Sequence, residues 1–445
     1  MAQQSGAAFT RRTFIGVAGG VAASTLLAAC SRGGGNTGGG GGGGKALKFW
    51  NMPWGGTTFA PTDKKIATGW KGADGITSVT YQNVPWANFT QTFSSAVASN
   101  TGPAVSSGGG TQAFLFESQG KIAYADDAIA SWESNGLKDD FLPGLLDAMK
   151  VKNGYAAVPY NLDMRVLWYN EQLFQQAGAE VPTDWQSYLA TCETLKKAGL
   201  YGFGVAAGAG AYTGGHILVG LMINNGGGLF DENNQPNVVT QENIDAINFV
   251  LECVQKGYVD PGSVQYTSDN GQTQWKNKKF AMGWEGAGNA TAIGGDVGAA
   301  MKIVSPLKSD SGKQGMLYFP NNIMMYKNTP SQKASNDFLT YYYQNMKTLW
   351  TQKTGIGLPV LKSITQTPEF QSDPNQVKII NEWQPISKTW AAPGSDALFL
   401  GVTTVDGTPI MDTFAQSIYG GKTDAKSALT TLQNGIKDSL AKLKS

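Results

Sequence analysis

The stretch YAAVPYNLDMRVLWYN, residues 155–170, ends in a short apolar run that predicts a buried strand at residues 166–169. Leu47 and Phe49 open a first strand near the start of the chain. Further short apolar runs, separated by amphipathic segments, predict strands at residues 202–205, 280–283 and 323–326. Strands that alternate with helices over about 400 residues indicate an α/β architecture.

Three amphipathic helices have clear end signals. Thr183 and Gln186 fit a capping box at the start of a helix over residues 181–199, which a glycine ends. A second helix is predicted at residues 242–256, and Thr423 is the predicted N-cap of the C-terminal helix. These helices support the α/β assignment.

The N-terminal segment predicts export rather than a folded domain. Arg11 and Arg12 precede an apolar run too short to span a bilayer, a pattern that resembles the twin-arginine signal peptides. The run closes on Leu-Ala-Ala-Cys30, which resembles the bacterial lipobox, so residues 1–29 are a predicted signal peptide and Cys30 is a predicted lipidation site. Residues 30–44 are then expected to form a lipidated, glycine-rich tether on the extracytoplasmic face of the cell membrane.

The composition favours a neutral ligand. The chain has 34 basic and 33 acidic residues, and charged residues make up only 15% of it, against about 25% in a typical soluble protein. This balance argues against electrostatic binding of nucleic acid. A phosphate or carboxylate ligand would need a cluster of arginines, and Arg165 is the only arginine beyond the N-terminal segment. The 12 tryptophans and 16 tyrosines instead predict a polar, aromatic surface.

The sequence lacks the motifs of common enzyme classes. It has one histidine, His216, no G-x-S-x-G nucleophile motif and no phosphate loop, so no metal or other cofactor is expected. His216 precedes an apolar run and is expected at a helix start or in the core. A glycosidase needs only two carboxylates, so catalysis is unsupported rather than excluded. Cys192 and Cys253, on two predicted helices, either form a disulfide or remain separate buried thiols.

A family resemblance extends outward from the opening block. Tyr155-Ala-Ala-Val-Pro-Tyr160 and Asp163-Met-Arg165-Val-Leu-Trp-Tyr-Asn170 are followed by Leu173-Phe174, Ala177-Gly178 and Val181-Pro-Thr-Asp-Trp185. In this order, these residues resemble the extracellular solute-binding proteins of ABC transporters, in the carbohydrate group that includes the maltose-binding proteins. Later segments fit the same pattern, namely Gly226-Gly-Gly-Leu-Phe-Asp231, Phe280-Ala-Met-Gly-Trp284 and Gly355-Ile-Gly-Leu-Pro-Val360.

The resemblance implies a type II periplasmic-binding-protein fold, with two α/β lobes and a hinge that the chain crosses several times. It places residues 45–162 and 309–358 in lobe 1, and residues 163–308 and 359–445 in lobe 2. A sugar or oligosaccharide would bind between the lobes, which would close on it. A monomeric protein would then deliver the sugar to the permease subunits of an ABC importer, without catalysis.

A sugar site needs aromatic rings for the apolar face of a pyranose and hydrogen-bonding groups for its hydroxyls. By its place in the family block, Asp163 is expected to accept hydroxyl hydrogen bonds, and its alternative role is an ion pair with Arg165. Trp284 is the first candidate for a stacking ring, with a core position as its alternative. Trp86 is expected in the core because of its helical spacing with Phe89. The other candidates for ligand contact are Glu285, Trp50, Asn51, Trp54, Tyr160, Ser107, Asn224, Trp383 and Trp390.

The sequence leaves three functions open. The first is capture of a sugar for an ABC importer. The second is capture of a polyol or another neutral solute by the same fold. The third is a surface carbohydrate-active enzyme, which would convert its ligand instead of returning it unchanged.

Overall fold

A computed structural model describes residues 45–86 and 89–443, and the predicted signal peptide, Cys30 and the tether lie outside these residues. The strands are β1 (Lys45–Asn51), β2 (Ile76–Asn83), β3 (Val105–Gly108), β4 (Ile122–Ala123), β5 (Lys150–Val151), β6 (Gly154–Tyr155), β7 (Val158–Asn170), β8 (Met282–Gly286), β9 (Met301–Ile303), β10 (Met316–Tyr326), β11 (Leu358–Pro359) and β12 (Ser387–Lys388).

The helices before β10 are α1 (Phe59–Thr68), α2 (Phe89–Ala98), α3 (Gln112–Ser118), α4 (Asp126–Glu133), α5 (Leu137–Asp140), α6 (Glu171–Ala177), α7 (Trp185–Lys197), α8 (Thr213–Asn224), α9 (Gln241–Gln255), α10 (Ser268–Lys276), α11 (Asn289–Ile293) and α12 (Gly295–Ala299). The later helices are α13 (Gln332–Asn345), α14 (Thr348–Thr351), α15 (Lys362–Thr365), α16 (Pro368–Gln371), α17 (Pro374–Lys378), α18 (Pro409–Tyr419) and α19 (Ala425–Leu443). None of the helices in the described ranges has the length and apolarity needed to span a bilayer.

The main sheet has the strand order β11-β7-β10-β3-β1-β2. Strand β1 is parallel to β2 and β3, whereas β10 is antiparallel to β3 and β7. Strand β7 therefore runs in the same direction as β1 and β3. One edge of the sheet therefore contains the carboxyl ends of β1 and β3 and the point where β7 leaves β10. α/β proteins bind ligands at such edges.

Strand β7 changes partners halfway along its 13 residues. Residues 158–164 pair with β10, with Ile323 opposite Val158 and Tyr318 opposite Met164. Residues 165–169 pair with β8 and residues 168–170 with β9. One continuous strand therefore joins the two parts of the sheet, and the change of partner falls between Met164 and Arg165.

Most of the predicted strands are present, but their first and last residues differ from the predicted ones. Strands β7 and β10 contain residues 166–169 and 323–326 and extend them toward their N-termini. Strand β8 overlaps residues 280–283. Residues 202–205 form only isolated bridges, to Val259 and Gly283, so the continuous strand predicted there is wrong.

Two predicted helix caps are wrong by one residue. Helix α7 begins after Asp184, whose carboxylate accepts a hydrogen bond from the Ser187 backbone N–H at 2.8 Å in a reciprocal capping box. At the start of α19, the Asp424 carboxylate, and not Thr423, accepts from the Ser427 N–H at 2.9 Å. In both cases the aspartate directly after the predicted threonine reaches the free N–H groups of the first turn.

The two cysteines of the described residues are separate. Cys192 on α7 and Cys253 on α9 are both buried free thiols, so the structure has the second of the two arrangements that the sequence allowed. Burial raises the pKa of both thiols, which keeps them protonated and unreactive.

A buried carboxylate fixes the end of β1. Asp63, on α1 and fully buried, accepts hydrogen bonds from Asn51 Nδ2 and the Tyr81 hydroxyl, both at 2.7 Å, and from the Tyr342 hydroxyl. The Tyr342 hydroxyl also lies 2.8 Å from that of Tyr160 on β7. Burial raises the pKa of Asp63 to about 6, although its three hydrogen bonds act in the opposite direction. This network ties α1, β1, β7 and α13 together in the core.

The raised pKa of Asp63 predicts a pH-dependent stability. The folded state holds the Asp63 proton more tightly than the unfolded state does, so this group's contribution to stability is lost as the pH rises from about 4 through about 6. In Asp63→Asn that loss, about 2–3 kcal/mol, should be absent. Urea unfolding of both proteins at pH 4.5 and pH 7 measures it. The control is Asp127→Asn at an exposed position of α4, and equal pH slopes for Asp63→Asn and the unsubstituted protein would contradict the assignment.

Candidate functional site

Ser107, at the end of β3, organises the loop that follows β1. Its hydroxyl accepts hydrogen bonds from the Trp54 indole N–H and the Met52 backbone N–H, both at 3.0 Å, and donates to the Asn51 side-chain oxygen. Ser107 and Asn51 are both fully buried. In this structure the Ser107 hydroxyl and the Asn51 side-chain oxygen hold the loop of Trp54 in place, while Asn51 Nδ2 donates to Asp63. Ligand contact by Ser107 and Asn51 stays a prediction.

Trp54 and Trp86 form an aromatic pair near this edge, which we call the tryptophan pair. Their rings meet edge to face, with centroids 4.9 Å apart, and Phe89 packs against the other side of Trp86 at 5.4 Å. The Trp86 indole N–H donates to the Pro53 carbonyl at 3.3 Å. Trp86 is 42% exposed, so the core position predicted for it is wrong. Its spacing with Phe89 is misleading because Trp86 lies outside α2 and forms a bend.

Two other candidates on this side are packing residues. Trp50 is partly buried and meets Phe93 of α2 edge to face at 5.4 Å. Tyr160 is fully buried, and its ring supports Trp54 at 6.4 Å. The tryptophan pair thus rests on β7, three residues before Asp163.

Asp163 and Arg165 lie on the same face of β7, on either side of the point where the strand changes partners. The Asp163 carboxylate accepts from Arg165 Nη1 at 2.8 Å. The Asp163 side chain remains 44% exposed, whereas that of Arg165 is 11% exposed and lies over the Phe319 ring at 4.9 Å. Asp163 therefore makes the ion pair given as its alternative role, and it still presents free carboxylate surface to solvent.

His216 and Asp406 extend this ion pair. Arg165 Nη2 lies 3.0 Å from His216 Nδ1, and His216 Nε2 lies 3.2 Å from an Asp406 carboxylate oxygen. His216 is buried in the first turn of α8, as expected from its sequence context. Burial lowers the pKa of His216, as does the nearby Arg165 charge, while the hydrogen bond to Asp406 opposes this effect.

Glu285 is the second carboxylate of this region. It lies on β8 opposite Val166 of β7 and accepts from the Gly286 N–H at 3.3 Å. Burial raises the pKa of Glu285 to about 7, against the attraction of Arg165, with a smaller contribution from the Asp163 charge. Near neutral pH, Glu285 can therefore either donate or accept a hydrogen bond.

Four other candidates are core residues. Trp284, the first choice for a stacking ring, is only 2% exposed because Tyr188 and Phe203 cover it at 5.0 and 4.9 Å. The remaining three are equally buried and have internal contacts: Trp383 donates to the Val304 carbonyl, Asn224 bonds to Trp185, Leu307 and Gly315, and Trp390 packs on His216 and Phe319. Other side chains cover these residues in this structure, although the buried Trp390 Nε1 has no hydrogen-bond partner. Their contact with a ligand stays a prediction.

Tyr212 was missed by the sequence reasoning. It directly precedes α8, is 52% exposed and stacks on His216 with centroids 6.4 Å apart. Its backbone has φ +40°, a region that bulky side chains rarely adopt. Such strain is often found at functional positions. The only sequence signal was an aromatic residue in a glycine-rich loop before an apolar helix.

The described residues contain no group of three or more His, Cys, Asp or Glu side chains that could hold a metal ion. What they offer is aromatic surface at the tryptophan pair and Tyr212, together with the carboxylates of Asp163 and Glu285. These groups suit an uncharged molecule with apolar faces and several hydroxyls.

Comparison with known proteins identifies relatives over nearly all of the described chain. A solved structure of a sugar transporter from Arthrobacter chlorophenolicus A6, with bound laminaribiose, is 48% identical, covers 88% of this chain and 99% of its own, and superposes with a TM-score of 0.78. The sugar-binding protein MalE of Xanthomonas citri has the same fold, at 18% identity, with a TM-score of 0.73 over 90% and 98% of the two chains. The predicted two-lobed α/β fold is thereby confirmed.

Sequence comparison agrees. The diacetylchitobiose binding protein NgcE of Streptomyces coelicolor is 26% identical over 157 residues, which are 35% of this chain and 30% of that relative. The family described as bacterial extracellular solute-binding protein matches residues 56–347, more than half of the chain. The chain therefore belongs to the bacterial extracellular solute-binding proteins, the family that its central sequence block predicted.

Proposed function

We propose that this protein binds a disaccharide or short oligosaccharide outside the membrane and delivers it unchanged to an ABC importer. The observation that carries the proposal is the tryptophan pair, with exposed Trp86 and partly buried Trp54, beside β7, the strand that also presents the Asp163 carboxylate. Aromatic rings would cover the apolar face of a sugar ring, and Asp163 would accept its hydroxyls. The relative with bound laminaribiose supports this ligand class, because it is 48% identical over nearly its whole length.

The charges around Asp163 favour a neutral ligand over an anionic one. Arg165 is the only arginine among the described residues, and its guanidinium already contacts Asp163 and His216. The carboxyl groups of Glu285 and Asp406 belong to the same region, through β8 and through His216 respectively. A phosphate ester would meet these carboxylates without a free guanidinium to bind it, so sugars and polyols fit better.

The two-lobed arrangement gives the site its mechanism. We assign residues 45–162 and 309–358 to lobe 1 and residues 163–308 and 359–445 to lobe 2. The change of partners along β7, between Met164 and Arg165, lies within two residues of this boundary. Asp163 opens the lobe 2 segment but still pairs with Phe319 of β10 in lobe 1, so it lies at the junction. A ligand that touches the tryptophan pair, Asp163 and a group of lobe 2 would then favour the closed state.

A thermal-shift screen tests the ligand class. Laminaribiose, maltose, cellobiose and mannitol are each added to the purified protein, and a disaccharide at about a hundred times its Kd should raise the Tm by several degrees, since it stabilises the folded state by about 2.7 kcal/mol. A shift with mannitol alone would replace the sugar by a polyol. Chromatography of the recovered ligand should show it intact, and release of monosaccharide would instead indicate an enzyme.

Substitutions test the site. Trp86→Ala should weaken disaccharide binding about tenfold or more, since it removes a ring face that would become covered on binding, and should change stability little because Trp86 is 42% exposed. Asp163→Asn should weaken binding by a similar factor. Val181→Ala, at an equally exposed apolar residue before α7, is the control. Isothermal titration calorimetry measures the Kd values, and unchanged binding by Trp86→Ala would remove the tryptophan pair from the site.

We also propose that Cys30 carries a lipid that anchors the protein to the extracytoplasmic face of the membrane, since it ends a lipobox-like segment after an apolar run. In Cys30→Ala the exported protein should move from the membrane fraction to the soluble fraction, with its disaccharide affinity unchanged. Cell fractionation followed by immunoblotting measures this distribution. A Cys30→Ala protein that stays in the membrane fraction would argue against the anchor.

A further inference from the structure

His216 is the one described histidine, and it lies between two charged groups. On one side, Arg165 Nη2 is 3.0 Å from its Nδ1, and on the other, an Asp406 oxygen is 3.2 Å from its Nε2. The ring is buried by Phe319, Trp390 and the exposed Tyr212, with centroids 4.6, 5.4 and 6.4 Å away. Asp406 lies just before α18, so this contact joins α18's N-terminal loop to β7.

The protonation state of His216 follows from its partners. A guanidinium can only donate hydrogen bonds, so Nδ1 must accept from Arg165 and cannot carry a proton. The neutral ring then carries its proton on Nε2 and donates it to Asp406. The result is a continuous chain of hydrogen bonds from Asp406 through His216 and Arg165 to the exposed Asp163 carboxylate.

We propose that His216 is a positioning residue for ligand binding: as the neutral Nε2–H tautomer it holds Arg165, and through Arg165 the Asp163 carboxylate, in the orientation that binds the sugar. A second proton on His216 would point from Nδ1 at Arg165, break their hydrogen bond and place two cations side by side. This inference rests on the proposed function, because it assumes that Asp163 contacts the ligand.

The arrangement makes ligand affinity depend on pH with a defined sign. The titratable or charged groups around His216 are Arg165 and Asp163 on β7, Asp406 before α18 and Tyr212 before α8. Burial and Arg165 keep the ring neutral near pH 7, and acidification protonates it. Affinity is therefore highest at neutral pH and falls on the acid side as His216 gains its proton.

Calorimetry with laminaribiose at pH 7.5 and pH 4.5 tests the inference. The unsubstituted protein should bind about tenfold more weakly at the lower pH, the effect of losing one charge-assisted hydrogen bond. His216→Gln keeps an acceptor for Arg165 and a donor for Asp406 but cannot titrate, so it should bind within about twofold of the unsubstituted protein at pH 7.5 and lose less affinity in acid. His216→Phe should bind about tenfold more weakly already at pH 7.5.

His216→Gln is the decisive variant, because it keeps Asp163, Glu285 and Asp406, so any effect of pH on these carboxyl groups is common to both proteins and cancels in the comparison. An acid loss in His216→Gln as large as in the unsubstituted protein would overturn the inference, as would unchanged binding by His216→Phe. If His216→Phe fails to fold, Asp406→Asn replaces it. Without the Asp406 charge, His216 is protonated only at a lower pH. The pH at which disaccharide affinity falls should therefore be lower in Asp406→Asn than in the unsubstituted protein. Absence of saccharide binding by the unsubstituted protein at pH 7.5 would instead contradict the proposed function.

Discussion

The structure depends on the backbone hydrogen bonds of one strand, β7, which pairs with β10 along its first half and with β8 and β9 along its second. Because side chains alternate along a strand, Asp163 and Arg165 emerge on one face at the place where the partners change. The exposed carboxylate and the buried guanidinium are therefore fixed relative to both parts of the sheet. A ligand that binds there lies where β7 passes from β10 to β8 and β9, the place proposed as the junction of the two lobes.

Buried polar groups hold the rest of the site in position. Asp63 holds the side chain of Asn51. Asn51 and Ser107 together hold the loop that carries Trp54. The Trp54 ring in turn packs against Trp86. Near Asp163, the Arg165 guanidinium contacts His216, and His216 contacts Asp406. The network of Asp63, Asn51 and Ser107 leaves none of its buried side-chain polar atoms without a partner, and it specifies one arrangement because an unpartnered buried polar atom is costly. The exposed groups can then meet a ligand with little loss of their own freedom, which favours affinity.

The sequence predicted the fold better than the site, for physical reasons. Strands and helices depend on local spacing, so the apolar runs and the central block sufficed for the α/β class and the family. Exposure depends on contacts between distant segments. Trp284 follows a strand pattern that also fits a ligand site, but Tyr188 and Phe203, about 80 or more residues earlier in the chain, cover its ring. Trp86 shows the reverse error, since it lies outside α2 and is 42% exposed despite its helical spacing with Phe89. Ser107 was selected because its glycine-rich loop could approach a ligand. In the structure its hydroxyl instead orients the loop that carries Trp54.

The most direct measurement of the central claim is a crystal structure of the protein with a bound disaccharide. The account predicts a sugar ring lying against the tryptophan pair, with a hydroxyl about 2.6–3.2 Å from an Asp163 carboxylate oxygen, and with the ligand touching residues on both sides of the β7 partner change. A disaccharide bound to one lobe alone, or one that leaves Asp163 and the tryptophan pair in contact only with solvent, would contradict it.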